Sequence, residues 1–419
     1  MRPWGHALSE GVGGTAFTAL AMAATRPVDI VGMGDSNQLQ GGFGWDHGIG
    51  YAMRQLYAMY ASPLFVHPNT TRENQGYLTA NGLNGAADGT MPSGLDAFAL
   101  PNANTPPSPL SRYQETVAIG NSNGIEIQVG GLNVNSDLRG YYCYGTFNSG
   151  SGSFRPAARL EESPYSTLVQ GSVINTNTGA FGQAVTTLDV AAAVRDKKVS
   201  FKWELPGGTV SVAPTVEFWS RAEDRNASAG FAVNTLFSQA GASLYDMAEF
   251  VQSATDDALT NYFTGVRYIQ VARGVEPVVV MHINAGLNDR NETRQPSLGP
   301  SPSSDPDSPE AFVDNLRAVT TRIEAIYALN GWALSGLYWL VTPSHRISDP
   351  DDAELLTFRA AARTWASGRA RSSVVDFNDL MTAAEATTNS WYASGGADTS
   401  HLTQAGYEQL AVRELDVGL

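Results

Sequence analysis

Two kinds of apolar pattern alternate along this chain. Near its ends, short continuous apolar runs are followed by stripes with helical spacing. Val28, Ile30, Val31 and Met33 form the first run and predict a buried strand over 28–33. Ile49, Met53, Leu56 and Tyr60 then recur at i, i+4, i+7 and i+11, an apolar helical stripe. FAVNTLF (231–237) predicts a second strand, and SLYDMAEFVQ a helix in which Ser243 and Asp246 stand as a capping box. VVVMHI (278–283) is apolar throughout, as a strand covered on both faces must be. Ser308 before Pro309 reads as an N-cap and a first helical position, with Phe312, Leu316, Val319, Ile323 and Ile326 as the stripe. LYWLVTP (337–343), a helix over 352–367, SSVVDF (372–377) and a last helix from Thr403 complete the series. Strands alternating with helices predict an α/β fold with a parallel sheet.

The middle of the chain follows another rule. Residues 70–109 are dense in Asn, Gly, Thr and Pro, which predicts a long loop region. From Tyr113 to Arg221 short β-like runs dominate: ETVAIG, IEIQVGG, GYYCYGTF, STLVQGSVI, VSFKWEL and TVEFWSR. Val199, Phe201 and Trp203 alternate with polar residues, the pattern of a half-buried strand. LPGGTV supplies a Gly-Gly turn between two such strands. The expectation is an all-β, sandwich-like insert over 70–228 that interrupts an α/β domain made of 1–69 and 229–419. The segment 296–309 reads as a local loop of the α/β domain.

Composition narrows the function classes. The 419 residues suggest two domains, and 42% hydrophobic residues can build a large core. Twenty-six basic against 41 acidic residues give a net charge of −15 with no basic run, which argues against nucleic-acid binding and against attraction to anionic membranes. No run approaches the roughly 20 apolar residues of a membrane span. TAFTALAMAA (15–24), after Arg2, has two readings: a secretory signal, or an N-terminal helix packed on the domain. A secreted or virion-associated location is favoured over the cytoplasm. Cys143 is the only cysteine, so no intrachain disulfide and no cysteine zinc site can form, and it reads as a small core residue.

Four short stretches stand at or beside predicted strand ends, where open α/β sheets bind ligands. They are Gly34-Asp35-Ser36-Asn37, Ala240-Gly241-Ala242-Ser243, Gly286-Leu287-Asn288-Asp289 and Asp398-Thr399-Ser400-His401, the last read as opening the final helix. Taken singly, each is an ordinary turn or cap. Together they supply the parts of serine hydrolysis: a hydroxyl nucleophile in Ser36, a general base in His401 and an orienting carboxylate in Asp398. The amides of Ser36 and Gly241 and the side chain of Asn288 are candidate oxyanion donors, with the dipole of the following helix adding to the Gly241 amide.

This constellation resembles the SGNH hydrolases, also called GDSL esterases. Block one looks like GDSN with Ser36, block two like QAGAS with Gly241, block three like GLND with Asn288 and block five like DTSH with Asp398 and His401. The resemblance covers 28–60 and 229–419. It implies a flavodoxin-like, three-layer α/β/α sheet, with no metal or organic cofactor. One departure stands out: 205 residues separate Ser36 from Gly241, where the family usually has one helix and one strand. Gly76 and Gly82 are alternative block-two glycines, but no convincing helix start follows either. Some bacterial SGNH esterases acting on O-acetyl groups of cell-wall or exopolysaccharides are similar in carrying a sandwich at this interval.

The expected activity is therefore removal of acyl groups, most naturally acetyl, from a carbohydrate. A lipase, lysophospholipase or acyltransferase of the same family, and a non-catalytic glycan-binding or virion protein on this scaffold, are the alternatives. Asn37, Trp45, His47 and His345 are candidate substrate contacts. His282, inside a strand, reads as a hydrogen-bonded core residue, and His6 and His67 have no evident partners. Tyr141, Tyr142, Trp203 and Trp219 fit either a sugar-stacking platform or, as the commoner outcome for alternating strand positions, a core.

Overall fold

The computed structural model describes residues 16–35, 65–66, 78–81, 112–114, 124–129, 138–146, 153–160, 167–175, 177–180, 182–190, 199–204, 215–224, 230–238, 242–254, 256–291, 297–299, 302–343, 352–396, 398–403, 405–407, 409–410 and 413. The predicted Ile49–Tyr60 helix and most of 70–109 lie outside them. The chain divides into two compact units: residues 1–61, 229–253 and 269–419, and residues 62–228 with 254–268.

The first unit is built on five parallel strands: β1 (Pro27–Gly34), β2 (Gly230–Ser238), β3 (Val279–Ala285), β4 (Leu337–Pro343) and β5 (Ser372–Val374). Their order is β2-β1-β3-β4-β5. Every residue of β1, β3 and β4 is buried, which is why these segments read as continuous apolar runs. The helices of this unit are α1 (Ala16–Ala21), α2 (Leu244–Ser253), the end of α3 (Asp256–Ala272), whose residues 256–268 fall in the second unit, α4 (Pro309–Leu329), α5 (Ala353–Ser367), α6 (Phe377–Leu380) and α7 (Ala383–Thr388).

Side chains alternate across a strand, so each face has its own core. Val28, Ile30, Val280 and Leu340 share one cluster with Ala16, Ala19 and Leu20 of α1 and with Tyr392, Leu402 and Tyr407. α1 thus packs its apolar residues on the sheet. On the other side α2 touches β1, α5 touches β4 and β5, and α4 packs against both helices. Phe312 of α4 stacks on Phe358 of α5, with ring centroids 5.3 Å apart. The α4 stripe is buried throughout, and each such side chain contributes about 1.5–3 kcal/mol relative to exposure.

Local signals account for the helix starts. Ser308 Oγ accepts from Ala311 N (3.1 Å), with proline in the first turn. Asp352 caps α5 by accepting from Glu354 N and Leu355 N, each at 3.2 Å. One charged residue, Asp29, is buried in β1 (3% exposed). Gln270 Nε2 donates to Asp29 Oδ2 (2.7 Å) and to Val278 O (2.8 Å), and Gln270 Oε1 accepts from Val278 N (2.8 Å). The glutamine thus ties the end of α3 to the sheet while meeting the need of a buried carboxylate for partners.

The second unit contains two antiparallel sheets. In one, Leu138–Thr146 lies between Gly182–Val190 and Thr215–Asp224, which also pairs with Phe65–Val66 and Arg112–Gln114. In the other, Val199–Glu204 lies between Gly124–Val129 and Ser153–Leu160, with Leu78–Asn81, Thr167–Gln170 and Ile174–Asn175 on the flanks. The Gly-Gly segment LPGGTV does not join a pair of neighbours as expected. The strands on either side of it, Val199–Glu204 and Thr215–Asp224, belong to different sheets. Ten residues separate them, enough to cross between sheets, whereas a tight hairpin needs about two.

Candidate active site

Three of the motif blocks flank the carboxyl ends of β1, β2 and β3. This is the edge, and β1/β3 the reversal of strand order, at which such sheets bind ligands. β1 ends at Gly34, and the next residue, Asp35, is fully buried and donates its amide to Asn284 O (3.2 Å). That bond fixes the backbone one residue before Ser36. β2 runs through a register irregularity opposite Val31–Met33 and ends at Ser238. After β3 the chain turns at Gly286, whose φ of 131° is a conformation that side chains rarely allow. Glycine at the head of GLND is therefore a backbone requirement.

The turn after β3 reaches back to the start of α2. Asn288 Nδ2 donates to Ala242 O (3.1 Å), and Asp289 Oδ1 accepts from Leu244 N (2.8 Å). Asn288 is half-buried, and Asp289 is 3% exposed. An amide NH2 has two hydrogens, so the bond to Ala242 orients the group and leaves the second hydrogen to donate elsewhere. The next residue, Arg290, pairs with the α5 N-cap Asp352 (2.5 Å). Three consecutive side chains thus fasten this turn to two helix starts.

The first turn of α2 differs electrostatically from the sequence expectation. Asp246 Oδ2 accepts from Ser243 N (2.8 Å), and Ser243 Oγ accepts from Asp246 N (3.3 Å), the reciprocal capping box. With Leu244 N held by Asp289, three of the four leading amides of the helix have partners within the protein. Two carboxylates, Asp246 and Asp289, thus stand at the positive helix end and offset it.

The DTSH block does not open the last helix. Asp398–Leu402 is a short strand, β7, paired with β6 (Tyr392–Ala393). The following helical turn is capped by Thr403, whose O accepts from Tyr407 N (3.0 Å) and whose Oγ1 accepts from Gly406 N (3.4 Å). Leu402 opposes Tyr392 and Asp398 opposes Ala393, so residues 399–401 lie between two pairs that are adjacent on the partner strand. Such a bulge bends the chain and re-aims side chains. His401, half-buried, stands in it, one residue before the core residue Leu402.

Ser36, Asn37, Trp45, His47, Gly241 and His345 lie outside the described residues, and Asp398 is described by its backbone alone. His282 is buried in β3 with Nε2 2.9 Å from Thr342 Oγ1, the core histidine expected. Asp289 and Arg290 carried no role in the sequence reading. Their partners lie 45 and 62 residues away, and no local spacing signals them. Among the described residues no group of three His, Cys, Asp or Glu could hold a metal ion, and no helix is long and apolar enough to cross a membrane.

No protein-family model and no curated protein matches the sequence. Solved structures overlap it loosely. An acetyl xylan esterase from the rumen bacterium Butyrivibrio proteoclasticus is 9% identical, with 81% of this chain and 97% of that chain covered and a TM-score of 0.27. The xylan-binding module CBM15 is 12% identical over 41% of this chain and 100% of its own, with a TM-score of 0.26. The N-terminal cellulose-binding domain of β-1,4-glucanase C from Cellulomonas fimi is 15% identical over 40% and 95%, with a TM-score of 0.22. Overlaps this loose carry no argument, and the functional reading rests on the chain's own residues.

Proposed function

We propose that the protein is an SGNH-type serine esterase that removes acetyl groups from a carbohydrate, on a flavodoxin-like sheet with an inserted β-sandwich. The observation that carries this reading is the pair of bonds from Asn288 to Ala242 and from Leu244 to Asp289. Two motif blocks 45 residues apart meet at the end of β3, beside the strand that leads to Ser36. In the proposed reaction Ser36 Oγ attacks the ester carbonyl while His401 takes its proton and Asp398 holds the imidazole tautomer. The developing oxyanion is met by the Ser36 and Gly241 amides and by Asn288. His401 then protonates the departing alcohol, and water releases acetate by the reverse sequence. No metal or organic cofactor enters these steps.

The carbohydrate class is supported by the polar composition of 70–109 and by strand register in the second unit. Arg139–Asp189, Tyr141–Thr187 and Cys143–Val185 are successive pairs on one face, which continues to Trp219 and Arg221. Thr187 and Asp189 of that face are exposed, whereas Leu188 and Val190 of the other are buried. By register Trp219 stands diagonal to Tyr141 on neighbouring strands, and the two are the residues we assign to a sugar-stacking platform. Trp203 stands opposite Pro156 and Ile125 in the other sheet. The test is acetate release from a panel of O-acetylated polysaccharides, alongside p-nitrophenyl esters of rising chain length. Release from a polysaccharide and a sharp optimum at acetyl are expected. A preference for long acyl chains would favour the lipase alternative, and activity undiminished by Ser36→Ala would remove the esterase assignment.

A further inference from the structure

We infer that Asp289 is a positioning residue that holds the oxyanion donors in register, and that it acts as a hydrogen-bond acceptor. The inference rests on the esterase reading above. The turn 288–289 and the start of α2 are joined by two bonds of opposite sense. Asn288 donates to the carbonyl of Ala242 (3.1 Å), and Asp289 accepts from the amide of Leu244 (2.8 Å). Neither bond alone fixes the relative placement of the two segments, because a single bond leaves a pivot. Two bonds spaced along both segments remove it. The residues so clamped are Asn288 itself and Ala242, which adjoins Gly241 in the sequence.

The surroundings show that this bond is built into the site. Asp289 is 3% exposed, and a carboxylate taken from water to that degree is kept only with firm partners. Charge-assisted bonds from backbone amides to a carboxylate are among the stronger ones available. The capping of α2 does not depend on Asp289, since Ser243 and Asp246 already form a reciprocal box. Asp289 instead takes the Leu244 amide, which the box does not reach, and in doing so joins the helix start to the turn after β3. Its negative charge also opposes an oxyanion nearby, so the bond has to contribute through geometry.

The separating experiment uses Asp289→Asn and Asp289→Leu in the full chain. Asparagine retains an acceptor for Leu244 N at similar size, and leucine does not. With p-nitrophenyl acetate, and with rates normalised to active sites titrated by a serine-directed phosphonate, kcat of Asp289→Leu is expected to fall about 10- to 100-fold. KM should stay within about twofold, because the donors act chiefly in the transition state. Asp289→Asn should keep kcat within about threefold of the parent. Equal losses in both variants, or no loss in Asp289→Leu, would overturn the inference. So would a loss matched by missing titratable sites, the mark of mere misfolding. Should Asp289→Leu fail to fold, Leu244→Pro removes the donor at the one helical position where proline is tolerated, and it must show the same kcat-selective loss. Ser36→Ala distinguishes the two levels. If that protein stays active the esterase reading fails, whereas an inactive Ser36→Ala beside a fully active Asp289→Leu defeats only the role given to Asp289.

Discussion

The two units use strands in opposite ways. In the parallel sheet, β1, β3 and β4 are buried along their whole length, and the motif chemistry stands where the apolar run stops: Asp35 after β1, Asn288 and Asp289 after β3. In the antiparallel strand Gly182–Val190, buried Leu188 and Val190 alternate with exposed Thr187 and Asp189. A strand covered on both faces can offer reactive groups only at its ends, with the backbone held rigid behind them. A strand covered on one face offers a repeating surface along its length. The first arrangement suits catalysis at a point, the second recognition of an extended chain.

That division breaks first at the strand ends. Asn288→Ala should lower kcat toward p-nitrophenyl acetate by roughly 10²–10³-fold, the usual effect of losing one oxyanion donor. A loss confined to KM would mean that Asn288 only contacts substrate. Next comes the scaffold behind the site. Arg359 of α5 pairs with Asp376 just after β5, and both side chains are almost wholly buried (9% and 0% exposed). Burial pushes the guanidinium's pKa down, and Asp379 acts in the opposite direction. Arg359→Ala leaves the buried Asp376 carboxylate with only the Asn378 amide and the more distant Arg363 (3.9 Å), and should cost about 3 kcal/mol of stability in chemical denaturation. A cost under about 1 kcal/mol would show that water reaches Asp376.

In the second unit, Tyr141→Ala with Trp219→Ala should raise KM for an O-acetylated polysaccharide roughly tenfold, about 1.4 kcal/mol. Turnover of p-nitrophenyl acetate should not change. Equal effects on both substrates would erase the proposed contrast between units. The smallest effect concerns pH. Arg413 holds the Glu385 carboxyl below its usual range through a direct hydrogen bond. A depressed carboxylate contributes stability above its unfolded pKa and loses it as pH falls through the folded value. The pair is about one-third exposed, so its contribution is below about 1 kcal/mol. The melting temperatures of the parent and Glu385→Gln should differ at pH 7 and converge toward pH 3.

Legibility in the sequence follows the same division. Where burial is complete, periodicity and caps speak plainly. VVVMHI, LYWLVTP, the Ser308-Pro309 start and the Ser243–Asp246 box all match elements of the parallel unit. The bulged β7 did not show itself, because DTSH carries the same residues that cap helices, and pairing with Tyr392–Ala393 is a tertiary matter. The clamp by Asp289 was invisible for a related reason: an acceptor and an amide 45 residues apart leave no period. In the antiparallel unit the alternation of Val199, Phe201 and Trp203 was readable, but which strand lies beside which was not. The Gly-Gly segment points to a turn, and only the ladder shows that its flanking strands part company. Register likewise puts Tyr141 and Tyr142 on opposite faces of their sheet, and Trp203 belongs to the other sheet.

The central claim is that a hydroxyl at the end of β1 is the nucleophile. The direct measurement is p-nitrophenol release from p-nitrophenyl acetate by the parent and by Ser36→Ala, with circular dichroism confirming that both are folded. The account predicts turnover by the parent and a rate at the uncatalysed background for Ser36→Ala. A folded Ser36→Ala that hydrolyses the ester as fast as the parent would contradict it.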